Sequence, residues 1–313
     1  MSTGQSPKTD CGAPEIADKR PAMAWAFLLS LRPWEWSKNL FVFTGLLFAY
    51  RFHDAGAVGS ALLAFGAFCG LSGIAYVIND WHDREQDRAH PQKRLRPIAR
   101  GHLGGGAAVA GVAVTALGVA AVSVPLGWGF AAWCAAYCFL NGAYSLWLKH
   151  IIFLDLICLA TGFLIRVYAG CAAVEVPASG YAVSCAFSLA LLLGAGKRRA
   201  ELLAYGGDSA RHRSVFDHYT ARMLDVTLGV AVMAVLVSYA VFVLSHKHPP
   251  AMIGTVVLVG FGVYRYLRLL YGGRGADQPA RLVLHDRLLL LTCVCWVLVS
   301  AGILWAGGRV GPY

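Results

Sequence analysis

Apolar stretches long enough to cross a bilayer recur along this chain, and they constrain its fold more than any other feature. A membrane-spanning helix takes about 20 predominantly apolar residues. In hydrocarbon every backbone N–H and C=O must find its partner inside the protein, so an open strand or an irregular loop is excluded there. Stretches of this kind run near 38–52, 55–78, 104–124, 127–147, 151–173, 178–196, 226–245, 251–271 and 287–307. They predict an all-α membrane protein, a bundle of about nine transmembrane helices. Of the 313 residues, 58% are hydrophobic and 14% charged. A soluble domain carries about 25% charged residues, so the deficit is what a membrane-embedded bundle requires.

The net charge of +10 would suit nucleic acid, but its placement points to a membrane partner and no nucleic acid. Arg84, Arg88, Lys93, Arg94, Arg96 and Arg100 lie between the second and third stretches. Lys149 follows the fourth. Lys197, Arg198, Arg199, Arg211, Arg213 and Arg222 lie between the sixth and seventh, and Arg274, Arg281 and Arg287 precede the last. The alternate loops hold little beyond Arg51, Glu175 and Lys247. Positive charge retained on the cytoplasmic side places the amino terminus in the cytoplasm and the carboxy terminus outside.

Residues 1–21 are polar and rich in Gly, Pro and Ser, which predicts a disordered cytoplasmic tail. Residues 22–313 are expected to form a single polytopic transmembrane domain. The run from Ala22 to Leu31 follows Lys19 and Arg20 as a signal peptide would. No small-x-small cleavage site follows it, and Arg32-Pro33-Trp34-Glu35-Trp36 comes next. An interfacial helix fits better. The nine cysteines include no CxxC pair and fall mostly in apolar runs, where they read as small buried side chains. His246 and His248 have no Cys or carboxylate beside them, so that pair reads as a loop feature and not a metal site.

Chemistry concentrates after the second stretch, in Asn79-Asp80-Trp81-His82-Asp83-Arg84-Glu85-Gln86-Asp87-Arg88-Ala89-His90-Pro91. If that helix continues for two more turns, Asn79, Asp83 and Asp87 share one face, with Asp80 within a turn of Asp83. Carboxylates crowded on one face repel unless a cation sits among them. An oxygen-only set suits Mg²⁺, whose shell is completed by water and substrate phosphates. Lys93-Arg94-Leu95-Arg96-Pro97 follows directly and supplies cations for phosphate oxygens. Asp80, Asp83 and Asp87 are the expected catalytic residues. With Asn79 they are the expected metal ligands.

Tyr144 and Lys149 precede a span that carries Asp155 and Arg166, eleven residues apart. At three turns these two share a face roughly 16 Å apart along the axis, too far for a direct pair. Arg166 then lies well inside the bilayer, where an ionisable side chain points inward. It is expected to meet an anion, with a structural salt bridge to another span as the alternative. Asp155 is expected to have a polar or metal-linked role. Lys197-Arg198-Arg199-Ala200-Glu201-Leu202 at the inner end of the sixth span, and Lys38 at the start of the first, either serve topology alone or face the acidic loop across one cavity.

Asn79-Asp80-x-x-Asp83-x-x-x-Asp87 with Arg96-Pro97-Ile98-Ala99-x-Gly101 resembles the first motif of the UbiA-type intramembrane prenyltransferase superfamily. The resemblance implies nine helices around a central cavity open to cytoplasm and lipid. Members acting on aromatic acceptors carry a second DxxxD between the sixth and seventh spans. Here that region offers Glu201, Asp208, Asp217 and Asp225, with no two Asp four apart. The fuller set is Arg32-Pro33-x-x-Trp36-x-Lys38-Asn39, His90-Pro91-x-Lys93-Arg94, Tyr144-x-x-x-Leu148-Lys149, Arg166-x-x-Ala169-Gly170 and Lys197-Arg198-x-Ala200-Glu201-Leu202. It is similar to the decaprenyl-phosphate phosphoribosyltransferase branch. That similarity implies a Mg²⁺-dependent enzyme of a bacterial plasma membrane, with phosphoribosyl diphosphate and a polyprenyl phosphate as partners. It also implies substrate-binding roles for Lys38, Asn79, His90, Lys93, Arg94, Arg96, Tyr144, Lys149, Asp155, Arg166, Lys197 and Arg198. A homo-oligomer is compatible with it. An isoprenoid transferase acting on another acceptor and a transporter of phosphorylated solutes are the competing readings.

Overall fold

The computed structural model describes residues 21–90, 93–205, 219–245, 249–273 and 279–307. The tail before residue 21, Pro91, Asp208, Asp217 and the His246/His248 pair lie outside the described residues. Among the described residues the architecture is helical throughout. In chain order come α1 (Met23–Ser30), a 3-10 segment (Pro33–Phe43), α2 (Thr44–Phe48), α3 (Ala55–His82), α4 (Arg84–Ala89) and α5 (Gly105–Leu146). They are followed by α6 (Leu154–Ala173), α7 (Gly180–Tyr205), α8 (Ala221–Leu244), α9 (Thr255–Tyr271), α10 (Pro279–His285) and α11 (Arg287–Ala306).

Local sequence explains several boundaries. Asp54 caps α3 by accepting from the N–H groups of Gly56 and Ala57 at 2.8 and 3.2 Å. Thr220 caps α8 through Met223 N–H at 3.2 Å, and Asp286 caps α11 through Leu289 N–H at 2.8 Å. Each satisfies a donor that a helix start leaves without an intrahelical partner. The run from Ala22 to Leu31 becomes α1, which buries Ala26 and leaves Trp25 exposed.

Seven helices among the described residues are long and apolar enough to span a membrane, where the sequence suggested about nine. The difference has two causes. The 104–124 and 127–147 stretches run together as α5, 42 residues broken at Gly127 with φ 81° and ψ 170°. A straight helix of that length would reach roughly 63 Å, twice the hydrocarbon thickness. The left-handed φ, open to glycine without strain, divides α5 into two membrane-length arms. The 38–52 stretch is not one α-helix. It enters as the 3-10 segment and continues as the short α2, with Tyr50 at φ 57° just beyond. Its polar residues explain the departure, since Asn39 is fully buried and must reach partners in the interior.

α6 is the centre of the bundle. Leu156 belongs to a core shared with α7, α8 and α9, while Ile165, Ala169 and Ala173 belong to a second core with α3, α5 and Val42. A Cβ on Gly170 would overlap the Val42 carbonyl, so the close approach of the 3-10 segment to α6 requires glycine there. The outer faces are apolar, with Val109, Leu117, Val124, Trp128 and Phe139 exposed on α5, and Val230 on α8 and Leu298 on α11 exposed as well. Such a surface is stable facing lipid tails and not facing water. The chain is a multi-pass helical membrane protein.

Candidate active site where four helix ends meet

The last turn of α3, the end of α5, the start of α6 and the end of α7 come together through polar side chains. Ser145 Oγ donates to Asn79 Oδ1 at 3.2 Å, and Tyr144 Oη lies 3.2 Å from Arg198 Nη2. Two clusters, each pairing carboxylates with arginine, sit within this end of the bundle.

The first is built on the acidic motif. Asp80 and Asp87 are buried, at 3% and 2% exposure. Arg96 Nη1 donates to Asp80 Oδ1 at 2.9 Å and to Asp87 Oδ2 at 2.6 Å. Arg32 Nη2 donates to Asp80 Oδ1 at 2.5 Å, and its guanidinium lies 4.5 Å from the centre of the Tyr76 ring. The helix does not run unbroken through the motif. α3 ends at His82, Asp83 leaves helical geometry with φ −89° and ψ 6°, and α4 begins at Arg84. Asp83 N–H still bonds the Asn79 carbonyl and Asp87 N–H the Asp83 carbonyl, each at 2.9 Å, and Asp80 and Asp87 pair through Arg96. Asp83 is half-buried, with no side-chain partner among the described residues.

The donor set can be weighed against a divalent cation on this geometry. One carboxylate oxygen from Asp80 and one from Asp87 converge on a single nitrogen of Arg96. Mg²⁺ uses such a pair when water and substrate phosphates fill its remaining positions. Asp83 lies between Asp80 and Asp87 in the chain, and Asn79 Oδ1 accepts from Ser145. The residues fit a hydrated Mg²⁺ that arrives with a phosphate substrate. They do not form a closed cage, since no group of three or more His, Cys, Asp or Glu gathers to hold a metal among the described residues.

The second cluster is closed to solvent. Asp155 is 0% and Arg198 1% exposed. Arg198 Nε donates to Asp155 Oδ2 at 2.7 Å, and its Nη1 donates to Glu201 Oε2 at 2.6 Å. Tyr219 Oη donates to Asp155 Oδ1 at 2.7 Å and accepts from Phe153 N–H at 2.9 Å. Burial first, then the hydrogen bond and charge of Asp155, hold the Tyr219 phenol above its ordinary value and keep it a donor. Both Asp155 oxygens are engaged by Arg198 and Tyr219, which corrects the metal-linked option for Asp155.

Arg166 is buried, as its position in the span implies. Its Nε donates to Asn39 Oδ1 at 2.7 Å, Nη1 to the Gly162 carbonyl at 2.8 Å and Nη2 to Tyr137 Oη at 2.9 Å. The Tyr137 ring lies 4.7 Å from the guanidinium. In place of the expected anion, neutral oxygens and aromatic faces surround this charge, and Asp155 is not among its partners.

The remaining expected residues lie nearer the surface. Lys38 pairs with Glu35. Lys197 Nζ is 3.8 Å from Glu201 Oε1. His90 Nδ1 accepts from Lys93 N–H at 3.3 Å. Lys93 and Arg94 are exposed on a 3-10 turn, and Lys149 lies half-exposed on another. Sequence reasoning gave no role to Glu35, Tyr76 or Tyr219. A phenol or carboxylate in a short polar stretch carries no periodic signal, and only tertiary packing brings each to its partner. Arg32 did have a signal, as a lone arginine before proline between an interfacial helix and a span.

The UbiA prenyltransferase family profile matches residues 39–285. The decaprenyl-phosphate phosphoribosyltransferase of Mycolicibacterium smegmatis is 31% identical over 285 residues, covering 86% of this chain and 89% of the relative. The protein of the same name from Corynebacterium glutamicum is 31% identical over 288 residues, covering 88% and 85%. A solved UbiA homologue from Archaeoglobus fulgidus, bound to GPP and Mg²⁺, superposes with a TM-score of 0.66 at 17% identity, covering 90% of this chain and 98% of the other. With a profile match over most of its length and relatives aligned nearly end to end, the chain belongs to the UbiA prenyltransferase family.

Proposed function

We propose that this protein transfers a 5-phosphoribosyl group from phosphoribosyl diphosphate to a polyprenyl phosphate of decaprenyl type, releasing diphosphate for the synthesis of a cell-envelope glycan precursor. The observation that carries the reading is the pairing of buried Asp80 and Asp87 with Arg96 and Arg32, in a chain whose two relatives described above bear that activity in their names. The orientation follows the basic loops, with the site facing the cytoplasm of a bacterial plasma membrane.

In the reaction the anomeric C–O bond to diphosphate breaks, its electron pair leaving with the diphosphate, as an oxygen of the lipid phosphate bonds to the same carbon. The nucleophile is already anionic, so no strong general base is required. Mg²⁺, when bound, neutralises charge on the leaving diphosphate. Asp80, Asp83 and Asp87, with Asn79, would hold the metal and through it the diphosphate. Lys93, Arg94, Arg96 and Lys149 contact phosphate oxygens, with Lys38, Lys197, His90 and Tyr144 as further substrate contacts. Arg198, held by Asp155, positions Tyr144, and Arg166 ties α6 to Asn39 and Tyr137. The apolar outer faces give the polyprenyl chain a path from the lipid.

The test is a single-turnover assay of the purified protein with Mg²⁺, radiolabelled phosphoribosyl diphosphate and a polyprenyl phosphate. Label entering the organic phase only when metal and lipid are both present supports the reading. No transfer, with diphosphate released from a prenyl diphosphate once an aromatic acceptor is added, would replace it with isoprenoid transfer.

A further inference from the structure

Two arginines hold the carboxylates that the proposed reaction assigns to a metal, and this double occupancy carries a consequence. Asp80 Oδ1 accepts from Arg32 and Arg96 at once, and Arg96 also reaches Asp87. Carboxylates this deeply buried need compensating charge, because an unpaired buried ion is strongly unfavourable. The two arginines supply it, two positive charges against two negative. Their own heads are far less buried, with side chains 20% exposed for Arg32 and 27% for Arg96. Each can therefore turn away from the carboxylates by side-chain rotation without opening the core. Arg32 has a surface to turn along, since its guanidinium lies over the Tyr76 ring one helical turn before Asp80.

We propose that Arg32 and Arg96 are exchangeable counter-ions, which compete with the divalent cation for Asp80 and Asp87 and pass to phosphate oxygens when metal and diphosphate arrive together. This rests on the proposed function and deepens it by adding Arg32 to the substrate-positioning residues. The exchange conserves charge pairing. The carboxylates trade three contacts from two guanidiniums for one divalent ion, and each guanidinium trades its carboxylate partners for phosphate oxygens, which suit its planar fork equally well. A metal without diphosphate would strand both arginines beside a dication, so the site resists the metal alone and accepts the pair. The selectivity excludes unproductive metal and orders binding.

Manganese titration, followed by the loss of the free-ion electron paramagnetic resonance signal, tests this on the full chain in lipid nanodiscs, with and without inorganic diphosphate, each read against empty nanodiscs at the same diphosphate concentration so that the Mn²⁺–diphosphate complex in solution is subtracted. Wild type should bind Mn²⁺ weakly alone and more tightly with diphosphate. Arg96→Gln should bind Mn²⁺ alone at least about tenfold more tightly, while binding diphosphate with Mn²⁺ about tenfold or more weakly, the scale of a charge-assisted hydrogen bond. Arg96→Lys, which keeps the charge, should stay within about twofold of wild type for Mn²⁺ alone. A folded Arg96→Gln protein whose Mn²⁺ affinity is unchanged or weaker overturns the exchange and leaves the arginine as a structural tie. Should that variant not fold, Arg32→Gln is expected to shift metal affinity in the same direction, and no gain there overturns the proposal equally. Wild type that binds no Mn²⁺ even with diphosphate would instead overturn the metal assignment underneath.

Discussion

Asp80 and Asp155 are both buried aspartates bonded to arginine, and they differ in what the arginine can do next. Arg198, the partner of Asp155, is 1% exposed and also held by Glu201 and Tyr144. Arg32 and Arg96, the partners of Asp80, keep 20% and 27% of their side chains accessible. In the first pair neither ion can be rehydrated separately, so it fastens α6 to α7. In the second, the cations can leave their acceptors for water or a phosphate, so the site can change partners. The same residue types thus serve as a joint in one place and as a binding surface in the other, and burial of the cation separates the two roles.

The largest effect that would break this contrast is at the joint. Asp155→Ala leaves buried Arg198 with Glu201 as its remaining carboxylate partner and takes away the acceptor of Tyr219 Oη, and should cost about 3 kcal/mol, read as a lowered unfolding midpoint in detergent. Gly170→Ala comes next. The added methyl meets the Val42 carbonyl, and overpacking of this kind costs about 1–3 kcal/mol. A variant as stable as wild type would show that the 3-10 segment can move off α6. Asp80→Asn should cost only about 1 kcal/mol, because its arginines turn to solvent, while transfer is lost. A stability loss equal to that of Asp155→Ala would erase the distinction between the clusters. The smallest effect concerns Glu35. Burial by itself would raise its carboxyl, but the charge and hydrogen bond of Lys38, with Lys197 and Arg32, outweigh burial and hold it below the ordinary value. A group lowered in the folded state adds stability above its unfolded pKa of about 4.3, and loses it as pH falls through the folded value. Acid melts should therefore show a small destabilisation in wild type that Glu35→Gln lacks.

The membrane class and most spans were legible in the sequence, because twenty-residue apolar runs report directly on the bilayer. The break at Asp83 was not. Helical periodicity carried Asn79, Asp83 and Asp87 onto one face, and gave no sign that α3 stops at His82 or that Arg96 ties Asp80 to Asp87. The sequence also placed Arg166 deep in the bilayer without identifying Asn39 and Tyr137 as partners, since contacts 127 and 29 residues away leave no trace in local pattern. Asp155 met the same limit, with Arg198 and Tyr219 lying 43 and 64 residues distant. The 38–52 run was apolar enough to suggest a plain span. Its buried Asn39 and the Gly170 contact, both tertiary facts, bend it into a 3-10 segment.

Asp83 gives the most direct test that the motif carboxylates serve a ligand and not the fold. It is half-buried, caps no helix through its side chain and has no side-chain partner among the described residues. Single-turnover transfer of labelled phosphoribosyl to a polyprenyl phosphate should be abolished in Asp83→Ala, at an unchanged unfolding midpoint. Near-normal transfer by that variant would contradict the account.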